Sequence, residues 1–335
     1  MSPDPCAPAT ASSEPGLTQI DQLVHCPRAI PICRETSGLL DAIGNTPMIR
    51  LQRASDETGC SIFAKCEFMN PGGSIKDRIA KRIVEQAERR GTLRPGMTIM
   101  EVTSGNTGIA LSMVGAAKGF RVVIMMPQTV SAERISMIRS FGAELVLLDE
   151  LLHIRRAIAH SRGLAEADPG LFLPSQFSNL DNPGCHEHTT GPEIVMQTGG
   201  RLDAFVMGVG TGGTLMGVGR ALRSAGTGAR VVAVEPDESA VMSGGPAGHH
   251  GIQGLADGFI PEIVRMNEVD AIVRVKTEEA IAASRRLSRE EGLLVGVSSG
   301  ANVLGAVETA RRLGPGHTVV TVLPDRGERY LSLAG

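Results

Sequence analysis

The chain has 335 residues, 42% of them apolar, and a formal net charge of −3 from 33 basic and 36 acidic side chains. That length supports a full core and favours two lobes over one, while the scattered basic residues exclude a nucleic-acid stripe. Aromatic residues reach only 3%, with no Trp and a single Tyr, which excludes base-stacking platforms, and no apolar run is long enough to span a bilayer.

The first residues, MSPDPCAPATASSEPG, include Asp4 and Glu14 and have neither a basic start nor an apolar stretch. They do not read as a secretory leader, and the expected compartment is the cytoplasm. Residues 1–35 are rich in Pro, Ser and Ala and lack periodicity, so a disordered extension is expected there. The six cysteines are too sparse for a disulfide scaffold. Cys66 sits in an alternating, strand-like segment and reads as a buried thiol. His25, Cys26 and Cys33 offer ligand types for a haem or metal ion but no specific ligand spacing, so no metal is expected.

Beyond residue 36, helix-like and strand-like segments alternate. Ser74 is a candidate helix cap, followed by Ile79, Ile83, Val84 and Ala87 at helical spacing. A strand is expected over 98–102, a helix over 107–118, a strand over 121–126, a Ser131-capped helix over 131–141 and a strand over 144–148. A strand over 203–208, a helix over 213–224 and a strand over 230–235 follow. The C-terminal part reads as a helix over 277–289, closing near Gly292, a helix over 300–313 and a strand over 318–323. The short runs VVIMM and VVAV do not alternate, as suits strands covered on both faces in a parallel sheet. The expected fold class is α/β and two-lobed, each lobe a mostly parallel twisted sheet flanked by helices. Residues 70–180 are expected to form the smaller lobe. Residues 36–69 and 181–335 form the larger one. Ligands in such sheets sit beyond the carboxyl ends of the strands.

Three glycine-marked turns fall at the starts of helices. The first, Asn70-Pro71-Gly72-Gly73-Ser74-Ile75-Lys76-Asp77-Arg78, places Lys76 in a first helical turn. The helix dipole disfavours a cation there, which eases loss of the lysine proton and favours Schiff-base chemistry. Taken alone, the same motif also suits an ordinary exposed lysine. The second, Thr103-Ser104-Gly105-Asn106-Thr107-Gly108, follows a strand and suits either an anion such as a carboxylate or a plain capped turn. The third, Gly208-Val209-Gly210-Thr211-Gly212-Gly213-Thr214, is a phosphate cradle by the same physics. It also matches G-x-G-x-x-G, with Glu235 at the spacing of a ribose-binding acid. An NAD-dependent dehydrogenase, without any Schiff base, is therefore the competing reading.

In this order the three motifs resemble the cysteine synthase (O-acetylserine sulfhydrylase) and cystathionine β-synthase family of fold type II pyridoxal 5′-phosphate (PLP) enzymes. The resemblance runs from about Ser37 to Ser332. It includes Gly44-Asn45-Thr46-Pro47, Ser175-Gln176-Phe177-Ser178-Asn179, Thr189-Thr190-Gly191-Pro192-Glu193-Ile194, Gly251-Ile252-Gln253-Gly254, Gly296-Val297-Ser298-Ser299-Gly300 and Gly327-Glu328-Arg329-Tyr330-Leu331-Ser332. It implies that Lys76 holds PLP and removes the substrate α-proton, and that Gly208, Gly210, Thr211, Gly212, Gly213 and Thr214 hold the cofactor phosphate. It also implies that Asn106 contacts the ring oxygen and Ser298 the pyridine nitrogen. Thr103, Ser104, Gly105, Thr107 and Gln176 would bind the substrate carboxylate, and a mobile part over 105–140 would close over substrate. A serine at the pyridine nitrogen leaves the ring uncharged, which favours loss of a β-leaving group over transamination.

The implied reaction is formation of L-cysteine from O-acetyl-L-serine and sulfide through an aminoacrylate. The alternative is a cystathionine β-synthase-like β-replacement with homocysteine, an amine or another thiol as nucleophile, and O-phosphoserine or serine as donor. The Pro71-Gly72-Gly73-Ser74 and Leu323-Pro324-Asp325 segments also occur on that side. Asp257, in the presumed substrate-entry loop, would repel a phosphoester, or simply face solvent. A homodimer is implied, as is a partner that inserts its tail, the C-terminus of a serine acetyltransferase.

Overall fold

In the computed structural model the described residues are 38–148 and 154–333. The extension expected over 1–35, with His25, Cys26 and Cys33, lies outside them. The strands are β1 (Met48–Arg50), β2 (Ser61–Lys65), β3 (Thr98–Val102), β4 (Arg121–Pro127), β5 (Glu144–Leu148), β6 (Leu171–Phe172), β7 (Ala204–Gly208), β8 (Arg230–Pro236), β9 (Ala271–Val275) and β10 (Thr318–Val322). The helices are α1 (Gln52–Thr58), α2 (Lys76–Arg90), α3 (Asn106–Lys118), α4 (Ala132–Ser140), α5 (Ile154–Ala167), α6 (Asp181–His188), α7 (Thr190–Thr198), α8 (Gly213–Ser224), α9 (Thr277–Glu291) and α10 (Val297–Leu313).

One sheet runs β5-β4-β3-β6 and is parallel throughout. The other runs β1-β2-β10-β7-β8-β9, parallel except for the antiparallel β1–β2 edge. The non-alternating runs have the expected cause. In β7 every residue is buried, with Ala204 and Val206 in one core layer and Phe205 and Met207 in the other. Helices α9 and α10 cover the first face through Ala280, Leu287, Ala301 and Ala306, and α8 covers the second through Leu215, Val218 and Leu222. In the four-stranded sheet, Ile99 and Ile124 pack on α2 and α3, whereas Met100, Val102 and Met125 face α5. Both faces are dry except along the edge strand β5, where Val146 and Leu147 are exposed, so in the central strands period-two alternation has nothing to sort.

Two expected caps work differently. Ser131 precedes α4, but its hydroxyl donates to the Arg329 carbonyl at 2.7 Å and makes no helix cap. The cap position of α2 is Ile75, while Ser74 Oγ accepts the Lys76 N–H at 3.3 Å. Helix α10 begins at Val297, ahead of the expected Gly300, because Gly296 is already the extended cap residue. That places Ser298 inside a helical first turn.

Candidate active site

The turns at the carboxyl ends of β3 and β7 face the first turns of α2 and α10. Lys76, Thr103, Ser104, Asn106, Thr107 and Gln176 line one cleft with Gly208, Gly210, Thr211, Gly212, Thr214 and Ser298. The cleft is partly open to solvent. Gly105 and Gly213 stand behind it. A side chain on Gly105 would run into Arg134, and one on Gly213 into Asn182.

The 208–214 turn needs bare backbone. A Cβ on Gly210 would lie 2.3 Å from the Gly254 carbonyl oxygen, and one on Gly212, where φ is +83°, 2.3 Å from a Val264 methyl. The first N–H groups of α8 have no acceptor within the helix, so an anion there gains several donors and the favourable end of the dipole. Two hydroxyls flank them. Thr211 Oγ1 accepts from Asn182 Nδ2 at 3.0 Å, leaving its own hydrogen to donate. Thr214 Oγ1 pairs with His186 Nε2 at 3.2 Å, and His186 Nδ1 with Thr190 Oγ1 at 2.9 Å. Burial pushes the His186 imidazole well below its usual pKa, so it sits neutral behind the anion turn.

Lys76 has the property that Schiff-base formation asks for. Burial pulls its amine down to about 8, against the opposing pull of Asp257 and Asp325. A lysine at that value has a free-amine fraction far larger than an exposed one. Its setting is fixed from behind. Arg78 bridges Glu67 and Glu193, with Nε–Oε2 and Nη1–Oε1 distances of 2.7 Å, and Lys65 reaches Glu193 at 2.6 Å. Arg329, almost fully buried, donates to the Gly72 carbonyl and, at 3.3 Å, to Asn106 Oδ1. Asp325 Oδ2 accepts from Asn106 Nδ2 at 2.6 Å and from the Tyr330 hydroxyl. The asparagine thus enters the cleft with one amide hydrogen committed and one left over.

On the β3 side, Thr103 Oγ1 accepts the Gly105 N–H at 3.2 Å, and Thr107 Oγ1 donates to Gln176 Oε1 at 2.6 Å. The Gln176 NH₂ group has no protein acceptor among the described residues and is available to a carboxylate. Ser298 is buried in the first turn of α10. A phosphate turn, a lysine amine near neutrality and a buried hydroxyl across the cleft fit PLP. By contrast, Glu235 does not serve a ribose. Its carboxylate accepts from the N–H groups of Met242 (2.8 Å) and Ser243 (3.0 Å) and from the Ser243 hydroxyl.

Several cleft residues carried no role in the sequence reading. Arg134 and Phe177 line it, as do Gln253 and Gly254 of the quoted Gly251-Ile252-Gln253-Gly254 stretch. Asp257, half-buried, lines the cleft as well. For Arg134 the sequence holds no signal: it is one of several charged residues on α4, and only the tertiary fold turns it inward.

A family model described as "Pyridoxal-phosphate dependent enzyme" matches residues 39–325. A cysteine synthase of Staphylococcus aureus is 47% identical over 300 residues, covering 89% of this chain and 96% of that protein. The crystal structure of an O-ureido-L-serine synthase superimposes with a TM-score of 0.85 at 45% identity, covering 89% of this chain and 94% of the other. A cysteine synthase from Entamoeba histolytica gives 0.86 at 42%, covering 90% and 91%. With the family model matched over most of the chain and likeness along nearly its whole described length, this chain belongs to the cysteine synthase and cystathionine β-synthase family of pyridoxal-phosphate-dependent enzymes.

Proposed function

We propose that the protein makes L-cysteine from O-acetyl-L-serine and sulfide, with Lys76 as the residue that carries PLP and shuttles the α-proton. The observation that carries this reading is the Lys76 amine, drawn down to about 8 in the same cleft as the bare-backbone turn and Ser298. When bound, the cofactor supplies the electron sink for the α-carbon. The turn from Gly208 to Thr214 holds its phosphate, and Asn106 meets the ring oxygen. Ser298 offers the pyridine nitrogen a hydroxyl in place of a carboxylate, which leaves that nitrogen uncharged and favours departure of a β-substituent. Thr103, Ser104, Thr107 and Gln176 take the substrate carboxylate, with Gly105 allowing the close turn. This points the α-hydrogen at the Lys76 amine. Asp257 in the cleft disfavours a phosphoester and favours the neutral acetyl ester.

The division into lobes of residues 70–180 and of 36–69 with 181–335 belongs to the same proposal, as does movement of 105–140. The strands of the four-stranded sheet lie within the first range and those of the six-stranded sheet within the second. So does a homodimer, supported by exposed Met69, Leu180 and Met196, and an acetyltransferase tail as a visitor to the cleft. Among the described residues no helix is long and apolar enough to cross a membrane, in keeping with the cytoplasm as the proposed compartment.

The test is to load the purified protein with PLP and offer sulfide with O-acetylserine, O-phosphoserine or serine. Cysteine should form fastest from O-acetylserine. Cofactor-loaded protein that forms no cysteine from any donor contradicts the proposal.

A further inference from the structure

Glu101 is the single ionisable residue of the buried strand β3. A carboxylate in a core is costly unless its oxygens are well partnered, and this one forms no ion pair among the described residues. Its partners are backbone. Oε1 accepts the Val102 N–H at 3.0 Å, and Oε2 accepts the Gln176 N–H at 3.2 Å, from a residue 75 positions further along the chain. Burial pushes the carboxyl up to about 7, opposed by the N–H groups of Gln176, Val102 and Ser175 and by no cation.

The segment that Glu101 grips is strained. Ser175 has a φ of +53°, a left-handed conformation that a residue with a Cβ adopts only at a cost and only where its surroundings fix it. The surroundings here are specific. Glu101 holds the Gln176 N–H, and Asn182 Nδ2 donates to the Gln176 carbonyl at 2.8 Å. The Ser175 carbonyl accepts the N–H groups of Ser178 at 3.0 Å and Asn179 at 2.9 Å. With its backbone held at both ends, Gln176 presents Oε1 to the Thr107 hydroxyl at 2.6 Å and its NH₂ group to the cleft.

We infer that Glu101 is a positioning residue for the substrate carboxylate, acting through the backbone of Gln176. This rests on the reading of Gln176 as a carboxylate ligand given above. Glu101 does not itself line the cleft. It fixes the peptide between Ser175 and Gln176, and with it the direction in which the Gln176 side chain leaves the backbone. Without that acceptor the peptide can turn and relieve the strain at Ser175, which carries the Gln176 amide away from Thr107. The binding-competent arrangement is then only partly populated, and affinity for a carboxylate falls by that fraction. The phosphate turn, on the other lobe, is unaffected.

The experiment uses the PLP-loaded protein and L-alanine, which has the carboxylate but no leaving group; its dissociation constant is read from the cofactor absorbance. Glu101→Gln keeps the shape of the side chain but sets an NH₂ group against one of the two N–H donors. It should raise the L-alanine dissociation constant about tenfold, the effect of a competent fraction of about one-tenth, while the PLP dissociation constant stays within about twofold. Glu101→Asp keeps the charge, shortens the reach and should move the same way. The deciding comparison is a double-mutant cycle with Gln176→Ala. Once the Gln176 side chain is gone, Glu101→Gln should weaken L-alanine by less than about twofold more. An equal loss in both backgrounds overturns the inference. So does unchanged L-alanine affinity in both Glu101 variants, or failure of both to take up PLP, which would make the glutamate a support of the fold alone. Normal L-alanine binding by Gln176→Ala would instead remove the reading of Gln176 on which the inference rests.

Discussion

Substituting Gly210→Ala probes the phosphate turn with a single methyl. The new Cβ would lie 2.3 Å from the Gly254 carbonyl oxygen, about 1 Å inside ordinary contact, and both atoms belong to backbone that cannot rotate away. Either the 208–214 turn or the 251–254 segment must retreat. Overpacking of this kind costs about 1–3 kcal/mol, which becomes roughly a 5- to 150-fold rise in the PLP dissociation constant if the loss falls on the bound state. Titration of the apo-protein with PLP, read by absorbance, measures it. Gly184→Ala in α6 is the control, because nothing lies within 4 Å of its Cβ and an alanine inside a helix is mildly favourable. Gly210→Ala with PLP affinity within about twofold of the unmutated protein, under 0.5 kcal/mol, would refute the placement of the phosphate.

Other consequences are equally direct. Arg78→Met leaves Glu67 without its paired cation and Glu193 with Lys65 alone, and should lower unfolding free energy by about 3–5 kcal/mol in denaturant titration. Burial alone would raise Glu193, but Arg78 and Lys65 more than offset it and hold the carboxyl down to about 2. A depressed native pKa stabilises above the unfolded value and loses that stabilisation as pH falls. About 3 kcal/mol should therefore drain away between roughly pH 5 and pH 2, and Glu193→Gln should flatten that limb of the stability profile. Gln176→Ala removes an amide offered to the substrate carboxylate. It should cut kcat/KM for O-acetylserine roughly 10- to 100-fold, the worth of a hydrogen bond to a charged group, with PLP affinity little changed.

Much of this was legible before any coordinates. Strands β4, β7 and β8 announce themselves because helices dry both their faces and leave unbroken apolar runs. The glycine turns announce themselves because backbone must approach a ligand or another backbone closely, as Gly210 does at Gly254. What stayed hidden is tertiary. Helix α6 contains Pro183 and Gly184 and two histidines, poor helix formers held in place by packing on α8 and α2, so local propensity says little. His186 and Arg134 look like ordinary polar residues until the fold buries them beside the phosphate turn and the cleft. The Asp325 and Tyr330 pair spans only five residues, yet its purpose depends on Asn106, far away in sequence. The competing dehydrogenase reading failed on one local fact as well: Glu235 is occupied by the loop that follows it.

The central claim is that one lysine, Lys76, bonds to the cofactor. The chain has only five lysines, Lys65, Lys76, Lys81, Lys118 and Lys276, so the claim can be read in one peptide map. The PLP-loaded protein is reduced with borohydride, digested and analysed by mass spectrometry. A phosphopyridoxyl label confined to the peptide carrying Lys76, and missing from Lys76→Ala, is the predicted result. Label on any of the other four lysines, or a protein that takes up no label at all, would contradict the account.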